Sequence, residues 1–222
     1  MYMKSVITAT GLLMAGAISA SAAVIDFTDN STGFAGTIDG VAWTAKAFDL
    51  DGNMVNPNNG EAYDGGLPEP TGSLADLLAF DNDGWGVVDD EITNTLPEGG
   101  IERIVINFAS LVEITGFAYL DLFEDGESGS GEMGFINVDG TAVNLSYDSL
   151  FSNSGYAEIG GLALRGTQAV FRVRPSNDNV ALADGSLAAL EVSAVPVPAA
   201  GLLLLGGLGA LGAMRRRKKA NA

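Results

Sequence analysis

Apolar and polar positions alternate with a period of two in several short segments of the chain. Ile104, Ile106 and Phe108 are separated by single residues that would face the other way. Within Phe171–Arg174, apolar residues alternate with arginines. Because successive side chains of a strand point to opposite faces, this period predicts half-buried β-strands. Further predicted strands are Val41–Phe48, Glu113–Leu120, Ala157–Leu164 and Leu187–Val192.

Two Asp-Gly pairs stand between β-prone segments. Asp39 and Gly40 form the first pair, and Asp139 and Gly140 form the second. Asp-Gly flanked by strand-forming residues is the strongest short-range signal for a two-residue β-hairpin turn. The sequence therefore predicts two hairpins.

Only one segment of the body has helical spacing. Leu74, Leu77 and Leu78 recur at that spacing within Ser73–Phe80, whose first residue is a candidate N-cap. The pattern predicts one short helix there. The preceding stretch, Asp49–Thr71, is rich in Gly, Asn and Pro and is predicted to be a long surface loop.

The N-terminus has the pattern of a secretory signal peptide. One lysine precedes the apolar run Val6–Ile18, and Ala20–Ala22 supplies small residues at the spacing that signal peptidase accepts. We predict a signal peptide over 1–22 and a mature chain that begins near Ala23 or Val24. The alternative, an uncleaved anchor, is disfavoured by the short apolar run.

The C-terminal region, 195–222, joins a proline-containing motif to an uncharged stretch and a basic end. The span Val195–Met214 would make about 30 Å of helix, enough to cross a membrane, and the pattern predicts a transmembrane helix over 199–214. By the positive-inside rule the basic end stays in the cytoplasm and the body lies outside. The motif is Val195, Pro196, Val197, Pro198 and Ala199, and the basic residues are Arg215, Arg216, Arg217, Lys218 and Lys219.

The body between these ends, 23–194, is long enough for one domain with a full-sized core. The chain has 30 glycines, and its body consists of short β-branched and aromatic patches between Gly, Asn and Asp. This composition predicts an all-β fold. The number and spacing of the strands favour a two-sheet β-sandwich, jelly-roll-like in topology.

Charge is distributed unevenly along the chain. The formal net charge is −17, but the body carries only five basic residues against all 28 acidic residues, which gives −23. Such a domain repels phosphate backbones, so we expect no nucleic-acid binding. Affinity for Ca²⁺ and simple solubility in salt are both compatible with the acidic surface. The five basic residues are Lys46, Arg103, Arg165, Arg172 and Arg174.

Cysteine and histidine are both absent from the chain. Their absence excludes disulfides, thiolate nucleophiles and catalytic triads that contain histidine. A glycosidase built on two carboxylates is not excluded, although 28 acidic residues create many accidental pairs. We therefore expect no enzymatic activity, with carboxylate-only catalysis as the alternative.

The segment Asp81–Glu91 concentrates carboxylates around glycines that permit tight turns. Ca²⁺ takes six to eight oxygen ligands from such loops, so the segment predicts a calcium site, with a plain solvated loop as the alternative. The spacing is not that of an EF-hand, because Trp85 and Ile92 fall where oxygen ligands should be. The candidate ligands are Asp81, Asp83, Asp89, Asp90 and Glu91.

Aromatic residues could provide a flat platform for a sugar ring. Trp85 stands between two glycines in this acidic loop and is predicted to be the most exposed, while Trp43, Tyr63 and Tyr119 are more typical of core. A second acidic segment, Asp121–Glu132, is predicted to be a mobile, solvated connection.

The tail resembles the C-terminal sorting signals of the PEP-CTERM class in Gram-negative bacteria. It is most similar to the VPLPA-CTERM variant, with Val197 where that variant usually has leucine. The resemblance implies that an exosortase recognises Val195–Ala199, cuts the chain and passes the body to the cell surface or extracellular polysaccharide matrix. It implies no activity for the body.

The body itself resembles domains often found ahead of such tails. The likeness lies in the Gly-Trp-Gly-Val and Asp-Asp-Glu-Ile runs of the segment 81–92, followed by a strand that ends at Phe108. It implies a β-sandwich similar to carbohydrate-binding modules, without established catalysis.

These patterns together predict an exported, non-enzymatic surface or matrix protein that contributes to adhesion or polysaccharide association. Its expected partners are signal peptidase, an exosortase-type enzyme, the membrane and extracellular polysaccharide. It would be an inner-membrane intermediate before reaching the surface or matrix. The alternatives are a secreted carboxylate-based glycan hydrolase or lyase, and a permanently membrane-anchored periplasmic module.

Overall fold

A computed structural model of the chain describes seven segments. They all belong to one compact unit, Ala20–Val195. Apart from Ala22 and Val195, the predicted signal peptide and C-terminal sorting region lie outside the described residues. Within the described residues no helix has the length and apolar character needed to span a membrane. The described segments are 22–59, 62–63, 70–95, 99–125, 130–146, 155–175 and 183–195.

The described chain forms one 11-stranded sheet in which every strand pairing is antiparallel. The all-β prediction is therefore confirmed. The main path through the sheet runs β1-β11-β5-β10-β7-β6. The strands are β1 (Ala23–Asp26), β2 (Ala35–Ile38), β3 (Val41–Phe48), β4 (Met54–Val55), β5 (Arg103–Leu120), β6 (Glu124–Asp125), β7 (Ser130–Val138), β8 (Thr141–Ser146), β9 (Ala157–Ile159), β10 (Leu164–Pro175) and β11 (Ser186–Ala194).

Strand β5 organises the sheet, because its two halves pair with different neighbours. The first half pairs with β3 and β10, and the second half pairs with β11, β9 and the start of β10. Exposed residues 109–111 separate the halves. Opposite β11, Thr115 is one extra residue between the paired positions Ile114 and Gly116. The bulge changes which alternate residues face the core: Ile114 does so before the bulge, and Phe117 and Tyr119 do so after it.

Both predicted hairpins are confirmed. Asp39 and Gly40 have φ values of 51° and 79° and join β2 to β3, where Ile38 pairs with Val41. The second pair, at 139 and 140, has φ values of 44° and 95° and joins β7 to β8. Positive φ at both central positions is the requirement that Asp-Gly satisfies most readily.

The sheet buries apolar residues on both faces of its centre. The main core includes Phe117 and Tyr119, and both are fully buried. Ala118 and Leu120 point the other way into a smaller cluster, which the segment 70–80 helps to form. The smaller cluster consists of Leu74, Ala75, Ala118, Leu120, Tyr156, Ala188 and Ala189.

Two local predictions differ from the structure. The helix predicted over Ser73–Phe80 is only a single 3-10 turn, Ala75–Leu77, and Leu77 is exposed. Its first turn is held by a distant carboxylate, Glu158, instead of a local serine cap. The predicted strand Ala157–Leu164 is interrupted after Ile159, because glycines follow and one of them has a φ of 71°.

Candidate functional site

The loop Asp81–Glu91 is attached to the beginning of β11. The N–H of Trp85 donates to the carbonyl of Leu187 at 2.9 Å, and the N–H of Leu187 donates back at 3.0 Å. A second two-way exchange joins Gly86 to Asn58. The middle of the loop therefore behaves as a short extra strand segment, and the acidic residues lie on either side of it.

The prediction that Trp85 is exposed is wrong. Its side chain is fully buried and packs on Phe27 at a ring-centroid distance of 4.5 Å, with Trp43 nearby at 6.4 Å. Glycine at position 84 lets the loop backbone approach β11 closely, since a Cβ at Gly84 would lie 2.7 Å from the carbonyl oxygen of Leu187. A buried indole cannot stack on a sugar, so Trp85 does not provide the predicted platform.

The other aromatic candidates are also part of the packing. Trp43 and Tyr119 are buried, and Tyr63 lies half-buried against Phe80 at a centroid distance of 5.1 Å. The hydroxyl of Tyr119 lies 3.0 Å from the carbonyl oxygen of Arg172. The interpretation as core is therefore confirmed for Trp43 and Tyr119, whereas Tyr63 is partly buried and packs against the smaller cluster.

The five candidate calcium ligands do not share one environment. Asp81 and Asp89 are exposed, Asp83 is buried, and Asp90 and Glu91 are intermediate. No group of three or more acidic side chains placed to hold a metal ion occurs within the described residues. The loop thus presents scattered oxygens, and the calcium site stays a prediction from the sequence.

Glu91 nevertheless lies in a strongly negative environment. Burial is the main factor that raises its pKa, to about 7, and repulsion from Asp184 is the second. Asp90, Asp89 and Asp83 raise the pKa further. At neutral pH a large fraction of Glu91 is therefore protonated, which relieves part of this repulsion.

Glu132 of β7 makes a second acidic contact with Asp184, and both side chains are half-buried. The N–H of Phe123 donates to its Oε2 at 2.8 Å, and the N–H of Asp184 donates to its Oε1 at 3.0 Å. Burial first, and then a hydrogen bond with the Asp184 side chain, raise the pKa of Glu132 to about 8. The pair of carboxyl groups therefore retains a proton at neutral pH.

Sequence reasoning missed this pair. The prediction of a solvated connection over Asp121–Glu132 is wrong at Glu132, which is half-buried and hydrogen-bonded. Its partner, Asp184, is 52 residues away in the chain. No local pattern brings these positions together, and only the sheet does so, since its order β11-β5-β10-β7 links the strand after Asp184 to the strand that carries Glu132.

Ser186 joins the acidic loop to the end of β5. Its buried hydroxyl lies 2.7 Å from the carbonyl oxygen of Asp90 and 3.1 Å from Oδ2 of Asp121. We call this whole region the acidic rim. It consists of Asp90, Glu91, Asp121, Glu132, Asp184 and Ser186.

Hydrogen bonds within the acidic rim connect its loops, and its carboxyl groups with raised pKa values take up protons. A protonated carboxyl beside a carboxylate is also the pairing that a general acid uses in glycoside hydrolysis. Here, however, both Glu132 oxygens already accept backbone hydrogen bonds. The geometry therefore favours a structural, pH-sensitive role.

Comparisons with protein-family models, curated proteins and solved structures give no significant match to this chain.

Proposed function

We propose that this chain is an exported, non-enzymatic protein of the cell surface or extracellular matrix, sorted by its C-terminal segment and associated with polysaccharide. The observation that carries the proposal is the order of elements after β11. The motif Val195–Ala199 is followed by an uncharged stretch and then by 215–219, five consecutive basic residues. Such an order stops transfer at the lipid layer and leaves the acidic body outside.

The ends of the described body support this arrangement. Strand β1 begins at Ala23, the predicted start of the mature chain, and Ala23 pairs with Val192 of β11. The body's first and last strands are therefore neighbours, and the sorting motif begins three residues after that pair. Removal of the leader leaves every described strand intact.

A two-sheet sandwich is part of the same proposal. The halves of β5 pair with different strands, and the main core includes residues from both halves, such as Ile106 and Phe117. A long strand that passes from one layer to the next would produce this distribution. Sandwich domains of this kind are suited to display on a surface, because their loops gather at the ends of the layers.

Mass spectrometry of the mature protein, purified from the producing cells, tests the proposal. We expect a chain that begins at Ala23 or Val24 and lacks the residues after the sorting motif. The double variant Pro196→Ala/Pro198→Ala should keep its tail, because the motif would no longer stay extended. A wild-type surface protein with its tail attached would instead be a permanently anchored module. Intact chain in the cytosol with an uncut leader would refute export.

Calcium binding at Asp81–Glu91 is proposed from the sequence. Burial and Asp184 are the main causes of the raised pKa of Glu91, and repulsion from Asp90, Asp89 and Asp83 adds to them; a divalent cation would relieve this repulsion. Isothermal titration of the full-length protein with CaCl2 should release or absorb heat and raise the melting temperature, with MgCl2 as control. No heat and no shift would remove this proposal.

One observation favours the enzymatic alternative, a carboxylate-based glycan hydrolase or lyase. The Glu132–Asp184 pair retains a proton at neutral pH, and a general acid needs such a proton to donate. Release of reducing ends from polysaccharide by the wild-type protein, lost in Glu132→Gln, would establish this alternative. Our proposal expects no release by either protein.

A further inference from the structure

Arginines from neighbouring strands lie side by side on one face of the sheet. Phe48 of β3 pairs with Arg103 of β5, and Arg172 of β10 pairs with Phe135 of β7. Since Phe171 pairs with Ile104, Arg172 lies next to Arg103. Directly paired residues share a face, so the row runs Phe48, Arg103, Arg172, Phe135 across four strands.

Two of the guanidinium groups rest on aromatic rings. The Cζ of Arg103 lies 4.2 Å from the ring centroid of Phe48, and the Cζ of Arg174 lies 4.5 Å from that of Phe135. Cation–π contact restrains each guanidinium, whose N–H groups can still bind another partner. The rings at the two ends of the row, Phe48 and Phe135, thereby preorganise Arg103 and Arg174.

Arg103, Arg172 and Arg174 have no carboxylate partner among the described residues. The ion pair found there joins Arg165 to Glu113, away from the row. Burial, followed by repulsion from Arg103 and Arg174, lowers the pKa of Arg172. Its Nε is buried without a hydrogen-bond partner. In a chain with 28 acidic residues, these cations repel each other with no described anion beside them.

The same face also carries Lys46, which is exposed two residues before Phe48 on β3. Four of the five basic residues of the body therefore lie on one face. We call Lys46, Arg103, Arg172, Arg174, Phe48 and Phe135 the cationic face. The outward positions paired around it, Val105, Val170, Asn137 and Asn144, are uncharged. The result is a local positive region on a strongly acidic body.

The geometry points to the cationic face as a binding site for the carboxylate groups of an acidic polysaccharide. This inference rests on the proposed association with polysaccharide and specifies its chemistry. Guanidinium groups bind carboxylates through two parallel hydrogen bonds. Neighbouring strands lie about 4.8 Å apart, so the row spans about 14 Å, which suits a ligand with repeated charges more than a single ion.

An extended polysaccharide fits this setting better than a second copy of the protein. A thin anionic chain can follow the cationic face and keep its remaining charges away from the body's carboxylates. A second copy would bring another acidic body to within about one Debye length, about 8 Å at physiological salt. Nucleic acid meets the same repulsion along its length.

Binding of polygalacturonate, a linear polyuronate, to the full-length protein in detergent tests the inference. At about 0.15 M salt the distant acidic residues are largely screened. We expect wild-type binding, and Kd values about tenfold higher for Arg174→Gln and Arg103→Gln, since a charge-assisted hydrogen bond contributes that much. Arg165→Gln, which removes the same charge from the exposed ion pair, is the matched control and should change Kd less than about twofold.

Three results would overturn the inference. They are absence of polygalacturonate binding, equal binding of the neutral glucan pullulan, and equal weakening by Arg165→Gln and Arg174→Gln. Sedimentation velocity tests the alternative that a second copy of the protein occupies the cationic face. Self-association that Arg174→Gln abolishes, without polygalacturonate binding, would assign the face to contact between copies and reject a polysaccharide ligand.

Folding and localisation are separated from binding. Arg174 is exposed, so Arg174→Gln should keep the wild-type melting temperature, and Lys46→Gln provides a second exposed variant if Arg103→Gln unfolds. Mass spectrometry of the mature chain reports on export and sorting independently. A correctly processed protein that ignores polygalacturonate would refute this inference alone, while an unprocessed cytosolic chain would refute the proposed function.

Discussion

A single carboxyl group, Glu132, connects three segments that are distant in sequence. It lies on β7 and accepts backbone hydrogen bonds from Phe123 and Asp184. Burial is the main reason that its pKa rises from its ordinary value of 4.5 to about 8 on folding. A carboxyl with a raised folded pKa stabilises the fold fully below its unfolded pKa, and this stability is lost as pH rises through the folded pKa.

Stability should therefore fall between pH 5 and pH 8.5. We expect the melting temperature to drop by about 5 °C over this range, since 1 kcal/mol corresponds to about 2–4 °C for a domain of this size. Glu132→Gln removes the titrating group and should flatten the profile. The double variant with Glu91→Gln should flatten it further, because Glu91 has a raised pKa of about 7.

Glu113→Gln is the control for this pH dependence. Glu113 pairs with an arginine whose side chain is 64% exposed, and an exposed pair contributes little to stability. Differential scanning fluorimetry in matched buffers measures all four proteins. A Glu132→Gln profile as steep as the wild-type profile would show that this carboxyl does not take up its proton on folding.

Gly134 makes an equally specific contact in the core. A Cβ at this position would lie 2.5 Å from Cδ2 of Tyr119, whose hydroxyl is within hydrogen-bond distance of two backbone carbonyls. Because the ring cannot easily shift, Gly134→Ala should destabilise the protein by about 1–3 kcal/mol in chemical denaturation. Gly160→Ala is the control, since its Cβ would meet only the Ser73 hydroxyl at 3.9 Å. Equal stability of the two variants would contradict this packing.

At the scale of elements, the features that local chemistry determines could be predicted. The Asp39-Gly40 turn requires two positive φ values, and the alternation in Val41–Phe48 requires one buried face, so both are visible in a few consecutive residues. Strand β3 accordingly has the predicted bounds. The same reasoning identified the all-β class.

Features that depend on contacts between distant segments could not be predicted. The glycines around Trp85 are typical of an exposed loop, but Gly84 permits a close approach to Leu187 that only the folded sheet creates. The bulge at Thr115 leaves no local trace, although it reverses which residues of β5 face the core. The contact between Glu132 and Asp184 has the same origin.

Glu158 anchors the 3-10 turn Ala75–Leu77. Its carboxylate accepts hydrogen bonds from the N–H groups of Ser73, Leu74 and Ala75, and from the hydroxyl of Tyr156 at 2.7 Å. Burial raises its pKa, but these hydrogen bonds outweigh burial and hold the pKa below its ordinary value. The stability it contributes is therefore present above pH 4.5 and is lost as pH falls through the lowered pKa.

Glu158→Gln should loosen this segment. Because an amide has one acceptor oxygen and no charge, we expect a loss of about 1–3 kcal/mol and faster hydrogen exchange at Leu74 and Ala75. Exchange in the hairpin around Gly140 should stay unchanged, which separates local release from general destabilisation. Glu191→Gln, which removes a carboxylate that accepts from Thr115 at 2.8 Å, is the matched control. Unaltered exchange at Leu74 and Ala75 would show that the carboxylate does not hold this turn.

At the scale of the whole molecule, negative and positive side chains collect in different regions of the fold. Acidic residues from three parts of the chain meet at the acidic rim, whereas the cationic face collects four of the five basic residues of the body. Ion pairs would normally intermix the two signs, but the described chain contains one pair, between Arg165 and Glu113. The folded protein therefore retains strong repulsion between its like charges.

This self-repulsion predicts an unusual dependence on salt. Raising NaCl from about 0.01 M to about 0.15 M shortens the Debye length from about 30 Å to about 8 Å and screens repulsion among carboxylates. At pH 8 the melting temperature should therefore rise, by about 5 °C or more. Near pH 4.1, the isoelectric point of the full-length chain, far fewer carboxylates are ionised and the same salt series should have a smaller effect. A melting temperature at pH 8 that stays constant or falls with salt would show that net repulsion does not limit the stability of this fold.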